Sequence, residues 1–303
     1  MMRVACIGEC MVELKQAGSG LYSRGYGGDT LNTAVYLARL GVAVDYITAL
    51  GDDPLSDEMI AGWQAEGVGT AKVARLSGKL PGLYLIATDA KGERRFFHWR
   101  ESAAARSLLE LPETESLLQS LSAYDLVYFS AITLSIFSEA ARSRLFAALR
   151  AARGRGTRIA FDTNFRARGW PDLDIARAVF REAFETADIA LASTEDLLPL
   201  YPGAGTDTLL AGVPGGEVVL KLAEPASLVR LENGMRRIDA KPLTATVVDT
   251  TAAGDSFAAA YLAARLSGAA PEEAARAGHC LAGRVVCHPG AIIPRSAMPE
   301  NIS

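Results

Sequence analysis

Asp249-Thr250-Thr251-Ala252-Ala253-Gly254-Asp255-Ser256-Phe257 lies between the apolar run Thr246-Val247-Val248 and a helical pattern that continues to about Leu266. The stretch reads as strand, small-residue turn and helix. Such a turn leaves the first N–H groups of the helix unpaired, at the positive end of the helix dipole. Ala252, Ala253 and Gly254 carry almost nothing that would keep an anion from those groups, so the turn suits a phosphate. Asp255 would repel a phosphate that was merely bound. It is well placed to accept the proton of an alcohol attacking that phosphate. The same residues also suit a plain helix cap over tight packing.

The alternation of strand and helix runs along the whole chain. Val4 to Gly8, Val44 to Ala49, Asp125 to Ser130, Arg158 to Asp162, Asp188 to Ala192 and Glu217 to Leu222 read as buried strands. Between them, Thr30 to Leu40 places Leu31, Ala34, Val35 and Ala38 on one helical face and ends at Gly41. Asp53-Pro54 reads as an N-cap followed by proline at N1. Ser138 to Arg153 forms another apolar stripe, closed by Gly154. These units predict an α/β fold of three layers around a mostly parallel sheet. Residues 11–27 and 72–100 break the rhythm with shorter, more polar strand signals. Ala90-Lys91-Gly92-Glu93 reads as a hairpin turn between Leu83–Thr88 and Arg94–Trp99. They predict a small second sheet lying over a cleft as a lid. No linker is evident, so one domain over 1–303 is expected.

Composition excludes several classes. Half of the 303 residues are hydrophobic, 22% are charged and the net charge is −4. That argues for a folded protein and against nucleic-acid coating or a polybasic membrane signal. No apolar run approaches the ~20 residues that span a bilayer. Cys6, Cys10, Cys280 and Cys287 make no disulfide framework and show no zinc spacing, so a reducing cytoplasm is expected. Cys280 and Cys287 read as core positions of a C-terminal helix, and His279 and His288 as structural. Neither a G-x-x-x-x-G-K-[ST] loop nor a G-x-G-x-x-G after the first strand occurs. The phosphate site is therefore of neither of those kinds.

Gly27-Gly28-Asp29-Thr30-Leu31-Asn32-Thr33-Ala34 places two glycines and short polar side chains at a helix start, where sugar hydroxyls or an ordinary turn would both fit. Taken with Asp249–Asp255, this stretch resembles the paired signatures of the PfkB, or ribokinase-like, carbohydrate kinases. The resemblance covers nearly the whole chain. Gly8-Glu9-Cys10-Met11-Val12-Glu13-Leu14, Leu80-Pro81-Gly82-Leu83-Tyr84, Trp99-Arg100 and Gly290-Ala291-Ile292-Ile293-Pro294 are further similar to the 2-keto-3-deoxygluconate kinase subgroup. So is Ala252, which stands where most relatives carry glycine.

The resemblance implies a ribokinase-like fold and transfer of the ATP γ-phosphoryl group, with Mg²⁺, to a sugar hydroxyl. Asp255 matches the catalytic base, and an ordinary Asp, with a pKa of ~3.9, is ionised at neutral pH. The N–H groups of Ala252, Ala253 and Gly254 match the anion hole. Gly27, Gly28 and Asn32, with Asp29 beside them, match the sugar site. Tyr84, His98, Arg100 and Arg166 match contacts to an acid sugar, for which arginine is the apt donor. Lys221, Asn164 and Thr250 fall on the nucleotide side. Asp196, in Ser193-Thr194-Glu195-Asp196, stands where relatives organise Mg²⁺ through water. Leu222-Ala223-Glu224-Pro225-Ala226-Ser227 replaces a glycine-rich loop of relatives, which puts the nucleotide contacts in question.

The implied activity is phosphorylation of 2-keto-3-deoxygluconate to its 6-phosphate. A fructokinase or ribokinase activity is the nearer alternative. A sugar-acid sensor without catalysis is the further one, motivated by the altered 222–227 loop and opposed by Asp255. The lid sheet offers an edge for pairing two copies.

Overall fold

Strands form where apolar residues run on both faces, because only a sheet covered on both sides buries them all. The structure is a computed structural model that describes all residues except 1, 19, 89–93, 215, 232–233, 244 and 301–303. The strands are β1 (Arg3–Ile7), β2 (Met11–Gly18), β3 (Leu21–Gly27), β4 (Ala43–Gly51), β5 (Val73–Leu76), β6 (Leu83–Thr88) and β7 (Arg94–Trp99). They continue with β8 (Leu126–Ser130), β9 (Arg158–Asp162), β10 (Ile189–Ser193), β11 (Glu217–Lys221), β12 (Ala226–Leu231) and β13 (Gly234–Asp239). The helices are α1 (Asp29–Arg39), α2 (Pro54–Ala65), α3 (Thr114–Gln119), α4 (Ala131–Ile136) and α5 (Glu139–Arg153). After them come α6 (Leu173–Thr186), α7 (Thr194–Leu200), α8 (Thr206–Ala211), α9 (Ala253–Leu266) and α10 (Pro271–Val285).

Among the described residues the larger sheet has the order β13-β12-β11-β10-β9-β8-β1-β4-β5. Neighbours from β11 to β5 run parallel, and β12 and β13 add an antiparallel edge. One face is covered by α1, α2, α9 and α10, through Leu31, Trp63, Phe257 and Leu281. The other is covered by α3 and α5 to α8, through Leu118, Leu145, Phe180, Leu197 and Leu209. The expected three-layer α/β architecture is what forms. Local signals act as read: Asp53 Oδ1 accepts the N–H groups of Leu55 and Ser56 at 3.0 and 3.1 Å, ahead of Pro54.

The smaller sheet has the order β3-β2-β6-β7, with β2 and β6 parallel and the outer pairs antiparallel. It draws on 11–27 but on only part of 72–100. Val73–Leu76 instead pairs with Thr48–Gly51 at the edge of the larger sheet, where Ala74 and Leu76 join the core. Burial decides its place. The turn read at Ala90–Glu93 lies outside the described residues.

Three further readings need correction. Thr246-Val247-Val248 is not a strand: it is exposed and pairs with no strand among the described residues, while the Val248 and Asp249 N–H groups donate to the Val286 carbonyl. Valine favours a strand only where a neighbouring strand gives it a surface to pack on. Strands β12 and β13 pair antiparallel, a pairing for which the sequence signal is Asn233-Gly234. Cys280, on α10, and Cys287, beyond its end, are both only half-buried, so neither is a core position.

Candidate active site

Gly8 follows β1 and folds the chain back toward the smaller sheet, and the carboxyl ends of β1, β9 and β11 open into one crevice. In open α/β sheets this is where ligands are held. The N-termini of α1 and α9 meet there. Asn32 Nδ2 donates to Asp255 Oδ2 at 2.8 Å, and Thr33 Oγ1 donates to the Asp255 carbonyl at 3.3 Å. Asn164 Nδ2, just past β9, donates to Asp29 Oδ2 at 2.9 Å. Asp29 Oδ1 and Asn32 Oδ1 are buried and accept nothing from the described residues. Buried acceptors are costly unless paired, and two side by side at a glycine turn suit the hydroxyls of a polyol. Asn164 thus stands with the candidate sugar residues through Asp29.

Asp255 is not an ordinary carboxyl. Burial, and next the charge of Asp29, push its pKa up to about 7. The expectation of an untuned acid near 4 is corrected on that ground. Asp162 is likewise raised by burial and is held down in part by Lys221, whose Nζ lies 3.4 Å from its Oδ2. Lys221 also lies against the α9 turn, with Nζ 3.6 Å from where a Cβ on Gly254 would stand. An ammonium beside open N–H groups is suited to a polyphosphate.

The turn itself is open for an anion. No side chain caps α9. Of the expected anion-hole donors Ala252, Ala253 and Gly254, Ala253 N–H is spent on the Thr250 carbonyl at 3.2 Å, because that bond closes the turn, while the N–H groups of Gly254 and of Asp255 beyond it have no partner among the described residues. Thr250 is exposed at the mouth of this turn. Ala252 has φ 60° and ψ 16°, the one positive φ of a non-glycine among the described residues. For an L-residue this conformation costs about 1–2 kcal/mol, a cost that glycine would not carry. Asp249 holds the turn in place: Oδ1 accepts Thr251 N–H at 3.0 Å and Oδ2 accepts Gly290 N–H at 3.0 Å.

The smaller sheet faces the crevice with Glu13, Tyr84, His98 and Phe96. Tyr84 Oη donates to Glu13 Oε2 at 2.6 Å, and the Tyr84 and His98 rings stack at 5.9 Å as direct cross-strand partners. A side chain at Gly27 would collide with the Tyr84 hydroxyl. Burial, then the charges of Arg100 and Arg168, lowers the His98 pKa, so the imidazole is neutral at neutral pH. Arg100 forms an ion pair with buried Glu9. Arg166 is held by a different acid, Asp196, at 3.4 Å, and its side chain is 61% exposed.

Asp196 is heavily engaged. Oδ2 accepts from Thr163 Oγ1 at 2.8 Å and Ser193 Oγ at 2.7 Å, and Oδ1 accepts the Phe165 N–H at 2.9 Å. These bonds fasten the segment after β9 that carries Asn164 and Arg166. No group of three or more acidic, His or Cys residues gathers as a metal cage among the described residues. Leu222–Pro225 is a tight turn closed by Leu222 N–H to the Ala226 carbonyl at 2.9 Å, and Ala226 and Ser227 already belong to β12.

Sequence reading passed over Glu9, Glu13 and Asp162 as site residues. Asp162 carries the signal of a strand-end acid, but Glu9 and Glu13 show theirs only once β2 has folded over β1. The chain is similar to known proteins. A family profile described as pfkB family carbohydrate kinase matches residues 1–298. The chain is 45% identical to the 2-dehydro-3-deoxygluconokinase of Dickeya dadantii, over 98% of both chains. It is 41% identical to the protein of that name from Escherichia coli K12, over 98% of this chain and 99% of the other. A crystal structure of a putative ribokinase II from E. coli, in complex with ATP and Mg²⁺, superposes with a TM-score of 0.82 at 24% identity. The superposition covers 96% of this chain and 94% of that one.

Proposed function

The chain belongs to the pfkB family of carbohydrate kinases, and on that premise we propose that it phosphorylates 2-keto-3-deoxygluconate, the 2-dehydro-3-deoxygluconate of its relatives' names, at the 6-hydroxyl. MgATP is the co-substrate. The observation that carries the reading is Asp255: it stands in the first turn of α9, beside open N–H groups, and is hydrogen-bonded to Asn32 of the opposite helix. One carboxylate therefore touches both the phosphate turn and the sugar turn.

Asp255, ionised, takes the proton of the sugar hydroxyl as the oxygen–phosphorus bond forms. The bond from the γ-phosphorus to its bridging oxygen breaks, and ADP leaves with that electron pair. Little basicity is needed, because the proton leaves late in a loose transition state. The Gly254 and Asp255 N–H groups and Lys221 supply positive potential where charge shifts. Asp29, Asn32 and Asn164 orient the hydroxyls, with Gly27 and Gly28 giving the backbone room. Tyr84 and His98 cover the sugar from the smaller sheet, which acts as a lid. Arg100 and Arg166 receive the carboxylate. Thr250 lies toward the nucleotide. The nucleotide's phosphates would carry Mg²⁺, which would offset their charge, while Asp196, its oxygens already engaged, holds the Arg166 segment.

A coupled ADP-release assay on 2-keto-3-deoxygluconate, 2-keto-3-deoxygalactonate, fructose and ribose tests this. Turnover is expected with the keto-deoxy acids alone, and Arg100→Gln or Arg166→Gln should each raise the acid-sugar KM by roughly 10–100-fold. Turnover with fructose or ribose instead would overturn the substrate while keeping the fold and Asp255. No turnover, with tight binding of a sugar acid, would favour a sensor.

One domain over 1–303 and a cytoplasmic setting belong to the same proposal, the latter supported by four free thiols. Among the described residues no helix is long and apolar enough to cross a membrane. Pairing of two copies through the smaller sheet is supported by Tyr22, Phe97 and Trp99, exposed on its outer face. Sedimentation velocity should show a dimer that a Phe97→Ser/Trp99→Ser double variant dissociates. A monomeric parent protein would rule this out.

A further inference from the structure

Three stretches set apart in the sequence, Gly8–Leu14, Leu80–Tyr84 and Trp99-Arg100, converge on one buried acid. Glu9 follows β1, and its side chain is 1% exposed. One of its oxygens, Oε2, takes Arg100 Nη2. The other, Oε1, is buried without a partner among the described residues. Gly82 makes room for it, since a Cβ there would stand 3.0 Å from Oε1 and 2.8 Å from Met11 Cγ. The Glu9 carbonyl fills the place that a Cβ on Gly28 would need. Glu9 is thus wedged directly behind the sugar turn, with its carboxylate turned to Arg100, the residue just past β7.

The state of the Arg100 guanidinium follows from this contact. Nη2 is committed to Glu9, and Nε is buried without a partner among the described residues. Nη1 has no partner among the described residues and is not among the buried unsatisfied atoms, so it is the edge that a ligand can reach. An arginine free to turn would offer a two-pronged fork in many directions. This one is held by one edge and aims the other.

We propose that Glu9 is a positioning residue that fixes Arg100 over the sugar turn, and so sets the affinity for the acid group of the substrate. The proposal rests on the reading that Arg100 meets the substrate carboxylate. Its physical content is a preorganised donor: the charge-assisted bond to a buried carboxylate removes rotamer freedom before the ligand arrives. The alternative is that Glu9 merely offsets a nearby charge. In that case its neutralisation would leave the potential around Arg100 more positive and draw an anionic sugar more strongly.

The two accounts give opposite signs in steady-state kinetics. On the full chain, with the best sugar of the four-member panel, Glu9→Gln is expected to raise the sugar KM about tenfold. The kcat and the MgATP KM should stay within about twofold. In an Arg100→Gln background, Glu9→Gln should change the sugar KM by less than about twofold, because nothing is left to aim. Gly82→Ala, which crowds Oε1 without altering charge, should raise the same KM in the same direction. Thermal melts of each variant separate a folding loss from these effects. An unchanged or lowered KM in Glu9→Gln, or an equal effect with and without Arg100, would sink the proposal. The parent enzyme's sugar preference tests the substrate reading separately, because the cycle is run on whichever sugar it turns over.

Discussion

Replacing Asp255 by asparagine is expected to lower kcat by ~10²–10⁴-fold, the usual span for loss of a positioned base. The KM values for sugar and MgATP should move by no more than about threefold, since the amide keeps the shape and the Asn32 contact. The stability should move the other way. The folded-state pKa of Asp255 lies at about 7, above the ordinary value of 3.8. The native state therefore holds this proton more tightly than the unfolded chain does. As pH rises from about 4 to 7, ionisation costs the native state stability, on the order of a few kcal/mol when complete. Asparagine has no proton to lose. At pH 8 the variant should melt several degrees above the parent, and below pH 4 the difference should vanish. A variant that kept most of the parent kcat would refute the assignment of Asp255 as base.

The second large effect is in the pH profile. With both substrates subsaturating, kcat/KM should fall tenfold per pH unit below about 7, because only the ionised Asp255 accepts the hydroxyl proton. An untuned aspartate would place that limb near 4, so at pH 5 the two cases differ by ~10²-fold. Burial is the main cause of the rise, and the negative charge of Asp29 is the next. Asp29→Asn should therefore move the limb toward acid while leaving most of the shift in place. It should also weaken sugar binding, so the midpoint of the limb is the quantity to read, not the height of the plateau. A limb near pH 4 in the parent would show that the base is not held in this dry crevice. A midpoint unmoved by Asp29→Asn would show that the two carboxyls do not interact.

These two results turn on a site that was only half visible in the sequence. The turn at Ala252–Asp255 announces itself because an anion site at a helix start needs small residues in a row and nothing else. The sugar turn at Gly27–Asn32 is equally local. Arg100 and Arg166 come from the resemblance, yet nothing near them in sequence tells that one is gripped by Glu9 and the other by Asp196. The resemblance sets Asp196 where relatives organise a metal. Its oxygens are taken up by Thr163, Ser193 and Phe165. Those partners come from two strand ends that adjoin only once β9 and β10 pair.

The same division runs through the fold. The sequence by itself determined the α/β class, six strands of the larger sheet, the helix starts at Asp53 and Ser138 and the two small-residue turns. Each of these rests on interactions within a few residues: a cap, a period of apolar side chains, a turn without bulk. Tertiary structure alone decided that Val73–Leu76 joins the larger sheet and that Thr246–Val248 joins none. Strand formation depends on the surface a neighbour offers, and that neighbour is remote in sequence. It also decided the ionisation of Asp255. A carboxyl takes its pKa from the water it loses and the charges it meets, and here α1, β9 and β11 supply both.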